Sequence, residues 1–187
     1  MPRISQISEG NLHFLILDCP SDATLPDYLP ILEEHSVSDL VRICDGSPYQ
    51  VEPLTNIAVE VHDNMKFPDG TAPSKAIIDT WLDLNNKVFF DSEGANRHIA
   101  VHCVSGIGRA PVLVAISLIE GGMDFSDAVA KIRAVRRGAL NKTQINFLES
   151  YKRQKRLGKN SSSKSGASGS GEQKKKTGFI SKLLGKK

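Results

Sequence analysis

A cysteine and an arginine frame a short glycine-containing segment in this 187-residue chain. Five residues separate Cys103 from Arg109; the apolar run before the cysteine predicts a buried strand, and the residues after the arginine predict a helix. A loop that enters a helix directs several backbone N–H groups at one point, where the helix dipole adds about half a positive charge. Arg109 adds a planar fork of donors that can bind two oxygens of one phosphate. The segment therefore predicts a phosphate-binding site.

The same surroundings predict a reactive sulfur. A helix N-terminus and a nearby cation stabilise a thiolate, so Cys103 is predicted to be a nucleophile at neutral pH. A buried, inert cysteine with a chance spacing to the arginine is the alternative. Glycines at two loop positions let the backbone curl so that its amides converge on the anion. The predicted phosphate-binding residues are Val104, Ser105, Gly106, Ile107, Gly108 and Arg109.

Attack of a thiolate on a phosphate ester also requires a general acid, which protonates the departing oxygen. Asp69 is the predicted acid because it lies in the turn-rich segment 67–73, which we expect to form a mobile loop. Asp63 is a weaker candidate. An aspartate in such a turn often caps its own backbone, and this purely structural role also stays open for Asp69.

The segment from His102 to Gly122 contains a His-Cys-x5-Arg signature. It resembles the phosphatase of regenerating liver family, also called protein tyrosine phosphatase type IVA, and the similarity extends over residues 5–157. The resemblance implies a cysteine-dependent phosphatase fold and a protein tyrosine phosphatase of dual-specificity type, which works through a phosphocysteine without a cofactor. Other matching stretches lie at 40–45, 67–70, 120–123 and 136–139.

Three positions differ from most tyrosine phosphatases. Pro68 stands where the family carries the first of two adjacent aspartates, and Met65 stands where tryptophan is common. The sequence therefore does not decide whether the loop that carries Asp69 closes over the site. Ala110 follows the arginine in place of the usual serine or threonine, which is typical of the resembled family. A hydroxyl there would hydrogen-bond the sulfur and make it a better leaving group. We therefore expect slow hydrolysis of the phosphocysteine.

The resemblance also implies supporting and redox roles. His102 is expected to hold the loop, and Cys44 is expected to form a reversible disulfide with Cys103, since a nearby resolving thiol protects an oxidised one. A buried strand cysteine is the alternative for Cys44 and our interpretation of Cys19. Without a Cys-x-x-Cys pair, no metal site is predicted.

Hydrophobic patterning predicts alternating strands and helices around these residues. Helical spacing covers the regions 25–32, 77–89 and 110–119 and continues after Asp124, while Asn141 and Gln144 resemble a capping box that could instead help to place the hydrolytic water. The alternation predicts an α/β fold with a largely parallel twisted sheet flanked by helices, and with the cysteine loop at the carboxyl end of a strand. The predicted strands are 12–17, 40–43, 57–61 and 99–103.

Composition divides the chain into a phosphatase domain, 1–157, and a tail, 158–187. Residues 152–187 carry twelve basic residues and one acidic residue, whereas residues 1–151 carry twelve and twenty. The Gly/Ser/Lys-rich part predicts a disordered linker, and the basic amphipathic end, 174–187, predicts weak, reversible binding to anionic membrane. A merely solvated tail is the alternative, and nucleic-acid binding is disfavoured. Cysteine usage, with no secretory leader and no prenylation motif, predicts a cytoplasmic protein.

Two functional classes follow. The first is a phosphatase acting on phosphotyrosine proteins or phosphoinositides. The second, implied by the resemblance, is a binding protein whose phosphate pocket docks a magnesium transporter of the cyclin-M type, with phosphocysteine as the switch. A rhodanese-type sulfurtransferase also uses a cysteine loop, but the Asp69 loop and the apolar helix after Arg109 favour the phosphatase.

Overall fold

A five-stranded sheet lies at the centre of the computed structural model, which describes residues 2–91 and 97–158. The strands are β1 (Ile4–Glu9), β2 (Leu12–Leu17), β3 (Val37–Arg42), β4 (Glu60–His62) and β5 (His98–His102). They are ordered β1-β2-β5-β3-β4, and every pairing except that of β1 with β2 is parallel. The largely parallel sheet predicted from the alternating pattern is thus confirmed.

Helices cover both faces of this sheet because the side chains of each strand alternate between two apolar clusters. The helices are α1 (Leu25–Glu34), α2 (Glu52–Asn56), α3 (Lys75–Phe89), α4 (Arg109–Gly121), α5 (Phe125–Val135) and α6 (Lys142–Ser150). Phe14 and Ile16 pack with α3, α4, α5 and α6, whereas Leu15 and Leu17 pack with α1 and α2. β5 is the central strand, and all five of its residues are buried. The loop that leaves it is therefore held from both sides.

Helix α4 is the buried helix that the apolar stretch predicted. Every residue from its start through Glu120 is buried, and Gly122 ends it in the left-handed conformation with φ +112°. Trp81 on α3 fixes its position, since the indole N–H donates to the Leu113 carbonyl at 2.8 Å and to the Ser117 hydroxyl at 2.7 Å. The helix N-terminus that follows the cysteine loop is therefore rigidly placed.

Three local predictions were wrong. Strand β1 was not predicted, because it is an edge strand with a mostly exposed, polar face and little hydrophobic periodicity. The predicted strand 57–61 is shorter, since Ala58 has φ +59° and only residues from Glu60 onward pair with β3. Cys19 is not a buried strand residue: β2 ends at Leu17, and the cysteine is half-buried in the loop that follows.

The end of the described chain returns to α4. Buried Glu120 accepts hydrogen bonds from the Tyr151 hydroxyl at 2.8 Å and from the Gln154 and Arg156 N–H groups at 2.6 and 3.1 Å. Gly158 N–H donates to the Asn86 side chain at 3.0 Å. The predicted linker and basic tail from residue 159 lie outside the described residues. None of the described helices combines the length and the apolar character needed to span a membrane.

Candidate active site

Residues 103–108 connect β5 to α4 and form the loop predicted to bind phosphate. Gly106 has φ +64°, and a Cβ there would overlap the Leu17 carbonyl and the Arg136 guanidinium, so only glycine fits. Gly108 has φ −118°, and a Cβ there would meet neighbours at 3.4 Å or more. The conformational requirement predicted for both glycines therefore holds at Gly106 alone.

Arg136 holds the loop from behind, a role that sequence reasoning missed. Its side chain is fully buried and donates to the carbonyls of Ser105 at 3.0 Å, Gly106 at 3.2 Å and Arg3 at 2.8 Å. Burial lowers the pKa of this guanidinium from its ordinary value. The stretch 136–139 contributed to the family resemblance, but nothing in it distinguishes a buried arginine from a solvated one.

The remaining loop carbonyls also point away from the loop centre. The Val104 carbonyl accepts from the Cys19 N–H at 2.9 Å, and the Ile107 carbonyl accepts from the Leu140 N–H at 2.7 Å. Within the described parts of the chain, the N–H groups of 104–108 donate to no protein acceptor. With the carbonyls turned outward, these amides are left to bind an anion, as the nest geometry requires.

His102, at the end of β5, is a neutral support of the loop. Its Nδ1 lies 3.0 Å from the Cys103 carbonyl and its Nε2 lies 2.6 Å from the Tyr49 hydroxyl. A carbonyl can only accept, so Nδ1 carries the proton and Nε2 accepts from the tyrosine. Burial lowers the pKa of His102 to about 4, which keeps the ring uncharged. Tyr49, a partner that sequence reasoning did not find, thereby fixes the ring beside the predicted nucleophile.

The predicted acid and the predicted phosphate-binding arginine face each other. Asp69 Oδ1 lies 3.2 Å from Arg109 Nε in an ion-pair contact without hydrogen-bond geometry. Arg109 is buried, whereas the Asp69 side chain is 76% exposed. The same carboxylate accepts from the Gly70 N–H at 3.0 Å, and Arg109 donates to the Phe67 carbonyl at 3.3 Å. Asp69 thus makes both the turn contact and a contact to the site.

Helix α6 holds the acid loop against the cysteine loop. Asn141 and Gln144 form the predicted capping box, with reciprocal bonds of 2.9 and 3.1 Å. Their side-chain amides also donate outward, Asn141 to the Gly70 carbonyl at 3.0 Å and Gln144 to the Thr71 carbonyl at 3.3 Å. The two residues therefore cap a helix and clamp the segment that carries Asp69, whatever role they have toward water.

A small pocket opens between these elements. It has a volume of about 220 Å³, and its half-polar lining is consistent with a charged ligand. Cys103 is 2% exposed and does not line it, whereas Ile107 is part of its lining and Val104 is exposed at the surface. Ala110 is fully buried within the first turn of α4. The lining residues are Asp69, Gly70, Ser105, Ile107, Gly108, Gly138, Asn141 and Gln144.

The weaker acid candidate lies elsewhere. Asp63 pairs with Arg42 at 3.3 Å and lines a separate cleft of about 580 Å³ beside β4. That larger cleft contains neither the cysteine nor any residue of 104–109. Volume alone therefore does not mark the site, and the structure places Asp69, not Asp63, opposite the phosphate loop.

The other two cysteines lie close to the loop. Cys44 is buried, and its Sγ is 3.9 Å from the Cys19 Sγ. These two sulfurs and a ring nitrogen of His102 fall within 4.8 Å of one another. Both nitrogens of that ring are already hydrogen-bonded, and a structural zinc site uses four ligands, so this trio is an incomplete metal set.

The predicted nucleophile Cys103 begins a loop with unbonded amides, and an arginine pairs with a carboxylate at the end of that loop, an arrangement suited to phosphate-ester chemistry. The α/β sheet and this loop define a cysteine-dependent phosphatase. Residues 47–151 match the model of the protein-tyrosine phosphatase family. A structure described as a protein tyrosine phosphatase from Leishmania major superposes with a TM-score of 0.68 and 38% identity, covering 80% of this chain and 99% of that chain.

Closer resemblance in sequence is found among curated relatives. The chain is 44% identical over 157 residues to protein tyrosine phosphatase type IVA A of Dictyostelium discoideum, covering 83% of this chain and 92% of that one. It is also 44% identical over 156 residues to protein tyrosine phosphatase type IVA 2 of Mus musculus, covering 83% and 91%. The chain belongs to the protein tyrosine phosphatase type IVA family, so the resemblance stated from the cysteine loop is confirmed.

Proposed function

We propose that this phosphatase hydrolyses phosphotyrosine proteins through a phosphocysteine on Cys103, with Asp69 as general acid and Arg109 as the phosphate clamp. The observation that supports this assignment most directly is the 3.2 Å contact between Asp69 Oδ1 and Arg109 Nε. It brings the proposed proton donor to the group that would grip the phosphate, across the mouth of the cysteine loop. No other carboxylate lines the described phosphate pocket.

The proposed first step transfers the phosphoryl group to sulfur. The Cys103 thiolate attacks phosphorus, the bond from phosphorus to the ester oxygen breaks, and that oxygen takes the proton of Asp69. Arg109 and the loop amides bind the equatorial oxygens as charge develops on them. The incoming phosphate replaces the Asp69 carboxylate on the guanidinium, and the freed carboxylate takes a proton from solvent before it meets the leaving oxygen.

The second step regenerates the enzyme. Water attacks the phosphocysteine, the S–P bond breaks, and the Asp69 carboxylate accepts the proton that water loses. Ala110 offers no hydroxyl to the departing sulfur, so we propose that this step is slow. The intermediate then accumulates during turnover.

The test compares two exposed aspartates, each of which contacts an arginine. Asp69→Asn keeps an oxygen for the Gly70 N–H but cannot donate an acidic proton. We expect it to slow phosphorylation of Cys103 by an alkyl phosphate by about 10² to 10⁴-fold, and by an activated aryl phosphate far less, since a good leaving group needs no acid. Asp63→Asn is the matched control and is expected to change neither rate. Equal losses on both substrates for Asp69→Asn would remove the acid role.

We further propose that oxidation joins Cys44 to Cys103. The Ile43 N–H donates to the His102 carbonyl at 3.0 Å, so Cys44 and Cys103 each directly follow one member of a bonded pair on adjacent strands. In vitro, peroxide is expected to speed migration of the wild-type protein on a non-reducing gel, and Cys44→Ser is expected to abolish that shift.

The remaining partner predictions rest on other evidence. Peripheral membrane binding is a property proposed for residues 174–187, which lie outside the described residues; sedimentation with phosphatidylserine vesicles, with and without that segment, tests it. Phosphoinositide substrates and docking of a transporter stay predictions, since no contact among residues 2–91 and 97–158 favours them over a phosphotyrosine protein. A Cys103→Ser trap that recovers phosphoproteins from a lysate supports the phosphatase role.

A further inference from the structure

Three thiols lie at the carboxyl ends of three neighbouring strands. Cys19 follows β2, Cys44 follows β3, and Cys103 follows β5, which runs between them. The Cys19 N–H is bonded to the Val104 carbonyl, and the residue before Cys44 is bonded to the His102 carbonyl. The segments that carry the two outer thiols are thus tied to the residues directly after and directly before the nucleophile.

The outer two thiols already touch. The 3.9 Å between Cys19 Sγ and Cys44 Sγ is a thiol–thiol hydrogen bond, and the Cys19 sulfur also lies 3.3 Å from the Pro20 carbonyl. A disulfide has an S–S length of about 2.05 Å, so the sulfurs need to approach by about 2 Å, a movement within the reach of side-chain rotation.

The thiols differ in their access to solvent. Cys44 is 3% exposed and Cys103 2%, whereas Cys19 is half-buried and lines a surface cleft of about 150 Å³ together with Asp18 and Tyr28. This cleft shares no residue with the phosphate pocket. A reductant can therefore approach the Cys19 sulfur without entering the pocket that binds substrate.

We propose that Cys19 is a second resolving thiol, which forms a disulfide with Cys44 and thereby returns an oxidised Cys103 to its nucleophilic form. This role rests on the proposed phosphatase site and on its Cys44–Cys103 pair. It adds a final state in which the oxidised bond lies outside the phosphate loop and the loop again holds a free sulfur.

The steps balance with hydrogen peroxide as the oxidant. The Cys103 thiolate attacks peroxide to give a sulfenic acid and hydroxide, and the Cys44 thiol then displaces water to form the Cys44–Cys103 disulfide. Cys19 loses its proton to solvent and attacks the Cys44 sulfur. The Cys44–Cys103 bond breaks, the Cys19–Cys44 bond forms, and Cys103 leaves as a thiolate.

The direction of exchange follows from which sulfur best carries charge. The unbonded loop amides and the start of α4 lie beside Cys103 and not beside Cys44, so we expect Cys103 to be the better leaving group. Burial, followed by the effects of Cys44 and Cys103, raises the pKa of Cys19 to about 12. A thiol that ionises so poorly is not the first to be oxidised, but the bond it forms is hard to displace.

The full-length chain lends itself to a direct test, because trypsin separates its three cysteines into the peptides 4–42, 43–66 and 98–109. The protein is treated with one equivalent of peroxide, freed of oxidant, alkylated, and digested without reductant. For the wild type we expect a cross-link of 4–42 to 43–66 and full alkylation of 98–109. For Cys19→Ser, and for Cys19→Ala as a second variant, we expect a cross-link of 43–66 to 98–109, with about tenfold less alkylated 98–109.

Aryl phosphatase activity after peroxide treatment, without added reductant, is the parallel readout. The wild type is expected to recover it, and Cys19→Ser is expected to recover it only with dithiothreitol. A wild-type protein that stops at the 43–66 to 98–109 cross-link overturns the role of Cys19 while leaving the proposed site intact. Absence of that cross-link from Cys19→Ser refutes the underlying Cys44–Cys103 pair, and absence of activity in fully reduced protein refutes the catalytic proposal itself.

Discussion

Replacing Arg136 by lysine tests whether the catalytic loop is held from behind. Lysine keeps the positive charge but presents one ammonium group in place of a planar fork of donors. In the native structure that fork reaches three carbonyls, two of which, those of Ser105 and Gly106, belong to the loop. The ammonium can reach one of them well, so about two contacts are lost.

The magnitude follows from these contacts. A hydrogen bond to a charged group contributes about 1.5–3 kcal/mol, so the loss of two lowers the free energy of unfolding by about 3 kcal/mol or somewhat more. The loop carbonyls must face outward for the loop amides to face the phosphate. If the lost contacts let the loop shift, the amides bind the transition state more weakly as well. A 3 kcal/mol loss there corresponds to about a 100-fold lower kcat/KM.

The assay pairs urea unfolding with hydrolysis of an aryl phosphate under reducing conditions. Arg137→Lys is the matched control, because the neighbouring arginine is exposed. We expect the control to change the unfolding free energy by less than about 0.5 kcal/mol and to leave kcat/KM intact. If Arg136→Lys loses stability but keeps kcat/KM within about twofold, the loop geometry is set elsewhere and the reasoning fails.

Three further predictions follow from the site. Gly106→Ala is expected to cost more stability than Gly46→Ala by at least about 2 kcal/mol, because both have positive φ but only the first places a Cβ against the Leu17 carbonyl; equal losses in urea would contradict this. Ala110→Ser is expected to speed decay of the phosphocysteine at least about tenfold, because the added hydroxyl can form one hydrogen bond to the departing sulfur. Intact mass spectrometry after rapid quenching measures the lifetime of the phosphocysteine, and an unchanged lifetime would refute the role of the missing hydroxyl. His102 gains a proton below pH about 6.5 in the unfolded chain but only near pH 4 in the native protein, so its contribution to stability is present at pH 7 and is lost as the pH falls. The difference in unfolding free energy between wild type and His102→Asn is therefore expected to shrink by about 2 kcal/mol from pH 7 to pH 5. A constant difference would show that the ring titrates normally.

Much of the site could be predicted from sequence because its signals are local. Cys103, the left-handed glycine at position 106 and the helix that begins at Arg109 lie within seven residues, and the capping box spans four. In such short segments the conformation follows from residue type, since few alternatives satisfy the backbone.

The parts that sequence reasoning missed depend on contacts between distant residues. Arg136 meets the carbonyls of the loop from thirty residues away, and Tyr49 meets His102 across 53 residues. The sequence predicts a buried strand position for Cys19, whereas the strand order β2-β5-β3 places it in a loop with its sulfur against Cys44. An arginine, a tyrosine or a cysteine has the same appearance in a sequence whether it is solvated or buried against such a partner.

The contact between the Asp69 carboxylate and the Arg109 guanidinium has a consequence for product release. The resting cleft contains a tethered anion of its own, against which every free anion from the medium must compete. In the proposed mechanism Asp69 holds the proton taken from water when inorganic phosphate forms, and once that proton passes to solvent the carboxylate competes with the departing phosphate for the same nitrogen. We therefore expect weak inhibition by inorganic phosphate, whereas an esterified phosphate has further contacts from the rest of the substrate with which to displace the carboxylate.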